Sequence, residues 1–221
     1  MSLILFMDTS ASEALLGLVE DGQWLQTKVL PDARQLGQTL HTEVAELLQN
    51  SGKTLQDLRA VAIVNGPGSY TGLRVGLAAA KGWCFGLDIP LITLNRLQIL
   101  LSQFRKKEHI SGNSLLLLPA RAGEWFAFGA DAEGGILLSA RHVDRAALEA
   151  ILAQGSFQKI VVAGAPEKAP TNITVAASLF MGDAIHFNGL ETVVTEKFNE
   201  KRFAEITTAK PEYLKGVYIA S

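Results

Sequence analysis

A short apolar run, a glycine-rich turn and a glycine-containing helix follow one another between Ala60 and Gly86. The run from Ala60 to Val64 is rich in β-branched residues, which is typical of a buried strand. Residues 65–69, Asn-Gly-Pro-Gly-Ser, end the strand, and a helical pattern begins at Tyr70. The stretch therefore predicts a strand–turn–helix unit of the kind from which α/β folds are built.

This turn has the composition of an anion site or of a tight αβ corner. Glycines let backbone N–H groups approach a ligand, and the first turn of a helix carries unpaired donors. No Lys-Ser or Lys-Thr pair follows at P-loop spacing. In the alternative interpretation, a hydroxyl side chain only caps the helix. The possible phosphate or nucleotide contacts here are Gly66, Gly68, Ser69, Thr71 and Arg74.

The first predicted strand, Leu3 to Met7, ends in the polar residues Asp8, Thr9 and Ser10. Open α/β sheets bind ligands at the carboxyl ends of their strands, so these three residues join the candidate phosphate contacts. The alternative is that their side chains only satisfy backbone donors in the turn.

Residues 32–49 show helical periodicity. Their apolar stripe consists of Leu36, Leu40, Val44 and Leu47. His41 falls beside the stripe, and a lone histidine there is more often a hydrogen-bonded helix residue than a ligand. Since position 45 is alanine, no second imidazole completes a metal pair on this helix.

Small residues recur one turn apart in the helix after the glycine turn, at Gly72, Gly76 and Ala80. An interior glycine costs a helix about 1 kcal/mol relative to alanine. The repeat therefore predicts that another backbone packs very close to this helix. That backbone belongs either to the protein's own sheet or to a partner chain, with Leu73 and Leu77 adding apolar surface.

The rest of the chain predicts two successive units of three strands, helix, strand and helix, with a cleft between lobes. The lobes are expected at residues 1–108 and 109–221, with the last segment able to pack back on the first lobe. The charged run 105–109 is expected to be a solvated linker or helix end. In the second half we expect strands at 115–118, 125–130, 136–142, 159–163 and 173–176, and helices at 144–153 and 189–202.

Composition narrows the function classes. The net charge of −2, from 20 Lys and Arg against 22 Asp and Glu, does not favour direct nucleic-acid binding. One cysteine, Cys84, cannot form an internal disulfide, which fits a reducing compartment. Apolar runs are too short to span a membrane, and the first run lacks a basic n-region. We therefore expect a soluble cytoplasmic protein.

Several segments together resemble the TsaB (YeaZ) family of bacterial tRNA threonylcarbamoyladenosine biosynthesis proteins, once labelled glycoprotease-like. The resemblance covers most of the chain, is very specific between Gly66 and Pro90 and is loose from Gly134 to Ala209. The matching segments are Phe6 to Ser10, Leu40-His41, Asn65 to Gly76, Ala79 to Gly82, Gly86 to Leu91, Ala120 to Glu124 and Pro211 to Lys215.

The resemblance implies an α/β, two-lobed actin-like ATPase (ribonuclease H-like) fold, with a duplicated mixed sheet flanked by helices. It also implies a role in modifying adenosine 37 of tRNA, with a TsaD-like catalytic subunit and a TsaE-like ATPase as partners. Contact with tRNA is expected through the complex. No cofactor is expected to be required, although ATP or ADP could bind weakly or at the complex interface.

TsaD-like paralogues carry an H-x-x-x-H metal motif, and Arg96 and Leu100 stand at the corresponding positions. A guanidinium and an isobutyl group offer no metal-ligand lone pair, so the sequence predicts a non-catalytic subunit without this metal site. Pro119 also departs from the family pattern, in which an aspartate often precedes Ala-Arg.

The family resemblance implies that the first helix and the glycine-turn helix pair with their counterparts in TsaD. The partner-binding candidates are Leu36, Leu40, His41, Val44, Leu47, Leu73, Gly76, Leu77 and Ala80. Without TsaD, the same surface is expected to form a two-fold homodimer.

Two other functions stay open from the sequence. One is an ATP-dependent small-molecule kinase or a peptidase of the same superfamily, with Gly164-Ala165-Pro166 near the adenosine of a kinase and Ser69 and His41 in a peptidase. The other is a direct tRNA-binding module that uses residues 105–107.

Overall fold

The protein forms two compact units, described by a computed structural model for residues 2–164, 170 and 178–215. The first unit comprises Met1–Arg96 and His186–Glu212, and the second comprises Leu97–Ile185 and Tyr213–Ser221. The strand expected at 173–176, and residues 165 and 166 of the suggested adenosine contact, lie outside the described residues.

A five-stranded mixed sheet forms the centre of the first unit, in the order β3-β2-β1-β4-β5. Strand β1 pairs antiparallel with β2 and parallel with β4. The strands are β1 (Leu3–Asp8), β2 (Ala14–Glu20), β3 (Gln23–Leu30), β4 (Leu58–Gly66) and β5 (Leu91–Asn95). Strands β1 and β4 are buried almost throughout, which is why their sequences are continuous apolar runs rather than alternating ones.

Two long helices follow β3 and β4, α1 (Leu36–Asn50) and α2 (Tyr70–Leu87). The helix predicted from residue 32 begins with a separate 3-10 turn, Ala33–Gln35, which Asp32 caps through the backbone N–H of Arg34. A second 3-10 turn, Leu55–Asp57, has the reciprocal capping box of Thr54 and Asp57 and leads into β4.

The second unit contains a sheet with the same topology, in the order β10-β9-β6-β7-β8. Strand β6 pairs antiparallel with β7 and parallel with β9, as β1 does with β2 and β4. The strands are β6 (Ser114–Pro119), β7 (Glu124–Ala130), β8 (Ile136–Asp144), β9 (Lys159–Ala163) and β10 (Ser178–Met181). The predicted duplication of a mixed α/β unit is therefore confirmed.

Three further helices complete the described chain, α3 (Arg96–Glu108), α4 (Arg145–Ala153) and α5 (Leu190–Asn199). Asp144 caps α4, because its carboxylate accepts the backbone N–H of Ala147 at 2.8 Å. The charged run from residue 105 is the last turn of α3 rather than a separate linker. Arg105 is anchored there, donating from Nη2 to the carbonyl oxygens of Gly112 and Ala130 at 2.9 Å each.

The segment His186–Glu212 belongs to the first unit, although it follows the second sheet in the chain. The Trp24 indole anchors it by donating to the Phe187 carbonyl at 3.1 Å and to the Glu191 carboxylate at 2.8 Å. Farther along, the Ala204 N–H donates to the Leu91 carbonyl at 2.8 Å and the Glu212 N–H to the Asn65 carbonyl at 2.8 Å. The segment thus contacts the start of β5 through Ala204 and the end of β4, where the glycine turn begins, through Glu212.

Candidate functional site

The glycine turn is fastened to the end of β1 by hydrogen bonds. The Ser69 N–H donates to the Ser10 carbonyl at 2.8 Å, and the Thr9 hydroxyl donates to the Gly72 carbonyl at 2.8 Å. Ser69 also caps α2, since its hydroxyl accepts the Gly72 N–H at 3.3 Å. Ser69 thus caps α2, as the alternative interpretation of the turn proposed, and the same residue ties the turn to the end of β1.

Close approach to β1 explains three of the glycines. A Cβ at Gly68 would lie 2.3 Å from the Ser10 carbonyl oxygen, and one at Gly72 would lie 2.0 Å from that of Thr9. A Cβ at Gly76 would lie 2.2 Å from the Thr9 hydroxyl. The backbone that approaches this helix is therefore the protein's own sheet, because any larger side chain would push α2 away from β1.

Asp8 is a buried carboxylate at this end of the sheet. Its Oδ1 accepts the Ser10 N–H at 2.8 Å. Burial raises the pKa of Asp8, and the charge of Arg96 acts in the opposite direction. Arg96 is only 5% exposed, and its Nη1 donates to the Ser10 carbonyl at 3.4 Å. A guanidinium cation thus lies next to the polar end of β1, at the position where the paralogue motif has a histidine.

A cavity of about 890 Å³ opens beside the N-terminus of α2, entirely within the first unit. Its polar lining includes the hydroxyl residues Ser10, Ser12, Ser69 and Thr71, and its remaining lining residues are Ala11, Pro31, Asp32, Ala33, Arg34, Gly37, Gly72 and Val75. The volume lies within the usual range of small-molecule pockets.

One ion pair contributes to the cavity wall. Arg34 donates to both carboxylate oxygens of Asp32, from Nε at 2.8 Å and from Nη2 at 3.0 Å. These hydrogen bonds lower the pKa of Asp32 to about 2. The carboxylate therefore stays ionised at neutral pH, with its charge compensated by the guanidinium.

Three of the eight predicted phosphate contacts line this cavity: Ser10, Ser69 and Thr71. Asp8 and Thr9 are buried and bonded to backbone groups instead. A Cβ at Gly66 would meet the Glu212 carbonyl at 2.8 Å. Gly68 is packed against Ser10 as described above, and Arg74 donates to the Tyr70 hydroxyl at 2.7 Å and lies over its ring.

Sequence reasoning missed Ser12, Asp32, Arg34 and Gly37 as cavity residues. They follow β1 and β3, which run in the same direction because each pairs antiparallel with β2 between them, so residues 10–12 and 31–37 lie at the same end of the sheet. The Ala33 N–H donates to the Ser12 carbonyl at 2.9 Å and holds these two loops together. Only the strand order could have connected them.

The predicted partner-binding surface needs correction. Its apolar members are in the core of the first unit because α1 and α2 turn these side chains toward the sheet. The buried residues are Leu36, Leu40, Val44, Leu47, Leu73, Gly76, Leu77 and Ala80. Only His41 of the predicted set is exposed, and its ring lies edge-on to that of Trp83 with 4.9 Å between centroids.

The outer sides of these helices present a different surface. Phe85 is 81% exposed on α2. Gly82 and Ala78 are exposed on the same side of the helix, one and two turns before Phe85 respectively. On α1, His41 and Ala45 are exposed. We call these five residues the α1–α2 outer face.

Among the described residues, no group of three or more His, Cys, Asp or Glu side chains is arranged to hold a metal ion. No helix in the described part of the chain is long and apolar enough to cross a membrane.

Comparison with known proteins gives consistent matches. A family model described as TsaD, tRNA N6-adenosine threonylcarbamoyltransferase, matches residues 29–218. The tRNA threonylcarbamoyladenosine biosynthesis protein TsaB of Haemophilus influenzae is 33% identical over 126 residues, 55% of this chain and 50% of the relative. TsaB of Escherichia coli is 31% identical over 134 residues, 59% and 57% of the two chains. The chain thus spans about half the length of these curated relatives.

A solved Pseudomonas aeruginosa protein, described as similar to peptidase YeaZ, matches with a TM-score of 0.71 and 22% identity. This match covers 97% of the present chain and 100% of the other. Two units with one repeated mixed-sheet topology, together with this match, define a duplicated α/β protein that shares its fold with this YeaZ-like protein. The chain belongs to the family that the TsaD model describes, and it is similar to TsaB (YeaZ) proteins, which confirms the resemblance inferred from its motifs.

Proposed function

We propose that this chain acts in the biosynthesis of threonylcarbamoyladenosine at position 37 of tRNA, as a non-catalytic subunit that binds and activates a TsaD-like paralogue. The names of the TsaB relatives and of the matching family support this pathway. A TsaE-like ATPase and tRNA join through the assembled complex. The chain itself requires no cofactor for this role.

The α1–α2 outer face is the observation that carries the proposal. An aromatic side chain as exposed as Phe85 is unusual on a surface that stays in water, and contiguous apolar residues commonly mark interaction sites. Ala78 and Gly82 leave little above the helix backbone, so a helix of the paralogue can approach closely. Phe85 then provides the large buried side chain that dominates many interfaces.

The residues at positions 96 and 100 support a non-catalytic role. Arg96 is buried beside Asp8 and offers only donors, and Leu100 is fully buried. Neither side chain can bind a metal ion in the way that the paralogue's histidines do. The chain retains the fold of its relatives while this pair of positions serves packing and charge compensation.

Reconstitution of threonylcarbamoyl transfer tests the proposal. A TsaD-like paralogue, a TsaE-like ATPase, substrate tRNA, ATP and threonylcarbamoyl-adenylate-forming components are assayed with and without this chain. We expect modification to depend on the chain, and the chain to co-elute with the paralogue on gel filtration. Full modification without it, or transfer activity by this chain alone, would contradict the proposal.

Self-association is the expected behaviour of the isolated chain. The outer face that binds the paralogue would then pair with a second copy about a two-fold axis. Light scattering of the chain alone should give a dimer that dissociates when the paralogue is added, because both partners compete for one surface.

A further inference from the structure

We propose that the Asn188-Gly189 pair, directly before α5, is a site of spontaneous deamidation. In this reaction the backbone nitrogen of the glycine attacks the side-chain amide carbon of the asparagine. The amide C–N bond breaks, ammonia leaves with the proton of the glycine nitrogen, and a succinimide ring forms. Water then opens the ring at either carbonyl and gives aspartate or isoaspartate. Water is the only co-reactant, and the inference does not depend on the proposed function.

The chain contains the Asn-Gly pair twice, at residues 65–66 and 188–189. Glycine favours ring closure because it has no side chain to hinder its nitrogen and because its backbone is the most adaptable. The two pairs share this local chemistry. A difference in their reactivity therefore has to come from the structure around them.

Asn188 is exposed and lies in a tight turn that leads into α5. The Leu190 N–H closes the turn by donating to the Phe187 carbonyl at 3.0 Å. Gly189 has φ 82° and ψ −4°, the values of the third residue of a type II turn. Opening of this turn lets the Gly189 nitrogen reach the asparagine side chain, and local opening of an exposed turn costs far less than global unfolding.

The other pair is held inside the central sheet of the first unit. Gly66 is the last residue of β4 and pairs with Asn95 of β5. The Asn65 side chain donates from Nδ2 to the Lys210 carbonyl at 2.9 Å, and the Asn65 carbonyl accepts the Glu212 N–H at 2.8 Å. Ring closure there requires the end of β4 to leave these partners, so the structure protects this pair.

Isoaspartate would disturb the anchor of the segment His186–Glu212. Its main chain runs through the side-chain carbon, so one extra backbone atom enters the turn between Phe187 and Leu190. The Phe187 carbonyl accepts the Trp24 indole at 3.1 Å, and the two rings lie edge-on with 5.1 Å between centroids. Leu190 is only 1% exposed. A longer turn therefore has to move one of these residues out of its packed position.

Aspartate, the other product, leaves the backbone path unchanged. Its carboxylate would precede the N-terminus of α5, where the helix dipole favours negative charge. Glu191 is already in this first turn, and its Oε2 accepts the Trp24 indole at 2.8 Å. We therefore expect the fold to tolerate aspartate at this position and to lose stability with isoaspartate.

Peptide mapping by mass spectrometry tests the site on the full chain, incubated in mildly alkaline buffer and sampled over time. Protein isoaspartyl methyltransferase quantifies the isoaspartate. We expect Asn188 to deamidate at least roughly tenfold faster than Asn65 in the folded protein, and the two rates to become similar in guanidinium chloride. Asn188→Gln is the matched control: its ring would have six members, so position 188 should stay intact while Asn65 behaves as before.

Equal rates at the two asparagines in the folded protein would overturn the proposal, and so would a difference that persists in guanidinium chloride. Stability is the second readout. The isoaspartyl fraction, isolated by chromatography, should melt lower than the fresh protein, whereas Asn188→Asp should melt close to it. An isoaspartyl fraction that melts like fresh protein would contradict the role given to the turn.

Discussion

The imidazole of His41 on α1 lies edge-on to the indole of Trp83 on α2, with 4.9 Å between the ring centroids. This contact joins the two helices on the solvent side, opposite the side chains that enter the core. The contact therefore marks where the α1–α2 outer face begins.

Gly82→Arg should weaken both self-association and binding of a TsaD-like paralogue by at least roughly tenfold, because a long charged side chain would stand where a helix has to approach. Nothing lies within 4 Å of a Cβ at this position, so the fold should be unaffected. Phe85→Ala should have a similar effect by removing the exposed anchor. Ile136→Ala serves as the control, since Ile136 is 58% exposed but lies on β8. Analytical ultracentrifugation of the three variants gives their dissociation constants. Equal constants for Gly82→Arg and the native chain would contradict the assignment of this face as the binding surface.

Two glycines of α2 should respond in opposite directions to the same substitution. Gly82→Ala should stabilise the protein by up to about 1 kcal/mol, because the helix gains propensity and the new methyl group meets nothing. Gly72→Ala should destabilise it by about 1–3 kcal/mol, because the methyl group would lie 2.0 Å from the Thr9 carbonyl oxygen. Urea unfolding of both variants tests the pair. Equal effects would show that Thr9 does not hold α2 as closely as described.

Glu124 should make the stability of the second unit sensitive to acid. Hydrogen bonds from Lys215 and His142 lower the pKa of this carboxylate. A group with a lowered folded-state pKa stabilises the protein above its unfolded pKa, about 4.3 for glutamate, and this contribution is lost as the pH falls through the folded value. The native chain should therefore melt higher than Glu124→Gln at pH 7, and the difference should shrink as the pH falls below about 4.3 and disappear once the pH is below the lowered folded-state pKa.

The matched control for this pH series is Glu149→Gln. Among the described residues Glu149 forms an ion pair with Arg145 alone, at 3.5 Å, and its side chain is 68% exposed, so little change is expected at any pH. A melting difference between native protein and Glu124→Gln that persists at low pH would mean that the glutamine acts through packing instead of charge.

Cys84 should resist thiol reagents in the folded protein. It is fully buried, and burial raises the pKa of the thiol to about 11, so almost no thiolate is present at pH 8. Ellman's reagent should label one thiol per chain rapidly in guanidinium chloride and only at the rate of opening in native buffer. Rapid labelling under native conditions would place Cys84 at the surface of α2.

The sequence predicted most of the secondary structure because the local signals were strong. Continuous apolar runs identified β1 and β4, and the turn at residues 65–69 identified the start of α2. Asp21 and Gly22, between β2 and β3, have positive φ, 48° and 86°, as a tight hairpin turn requires. Of the two alternatives for the charged run 105–109, linker or helix end, the structure shows the helix end, because α3 continues to Glu108.

Periodicity located the apolar side of α1 and α2 but could not say what covers it. A stripe of leucines that faces the protein's own sheet has the same spacing as one that faces a partner, and here Leu40 and Leu77 enter the core. The partner surface inferred from this stripe had to move to the exposed side. The glycines were informative only once Thr9 was known to lie against them.

The sequence by itself determined the family, the repeated α/β units and the polar end of β1, because each depends on residues that are close together in the chain. The tertiary structure decided which polar residues share a cavity and which helix faces remain exposed. Arg34 joins Ser10 and Ser69 only because the order β3-β2-β1-β4 brings loops distant in sequence to one end of the sheet. Pairing between strands, which no local pattern specifies, is the physical reason for that division.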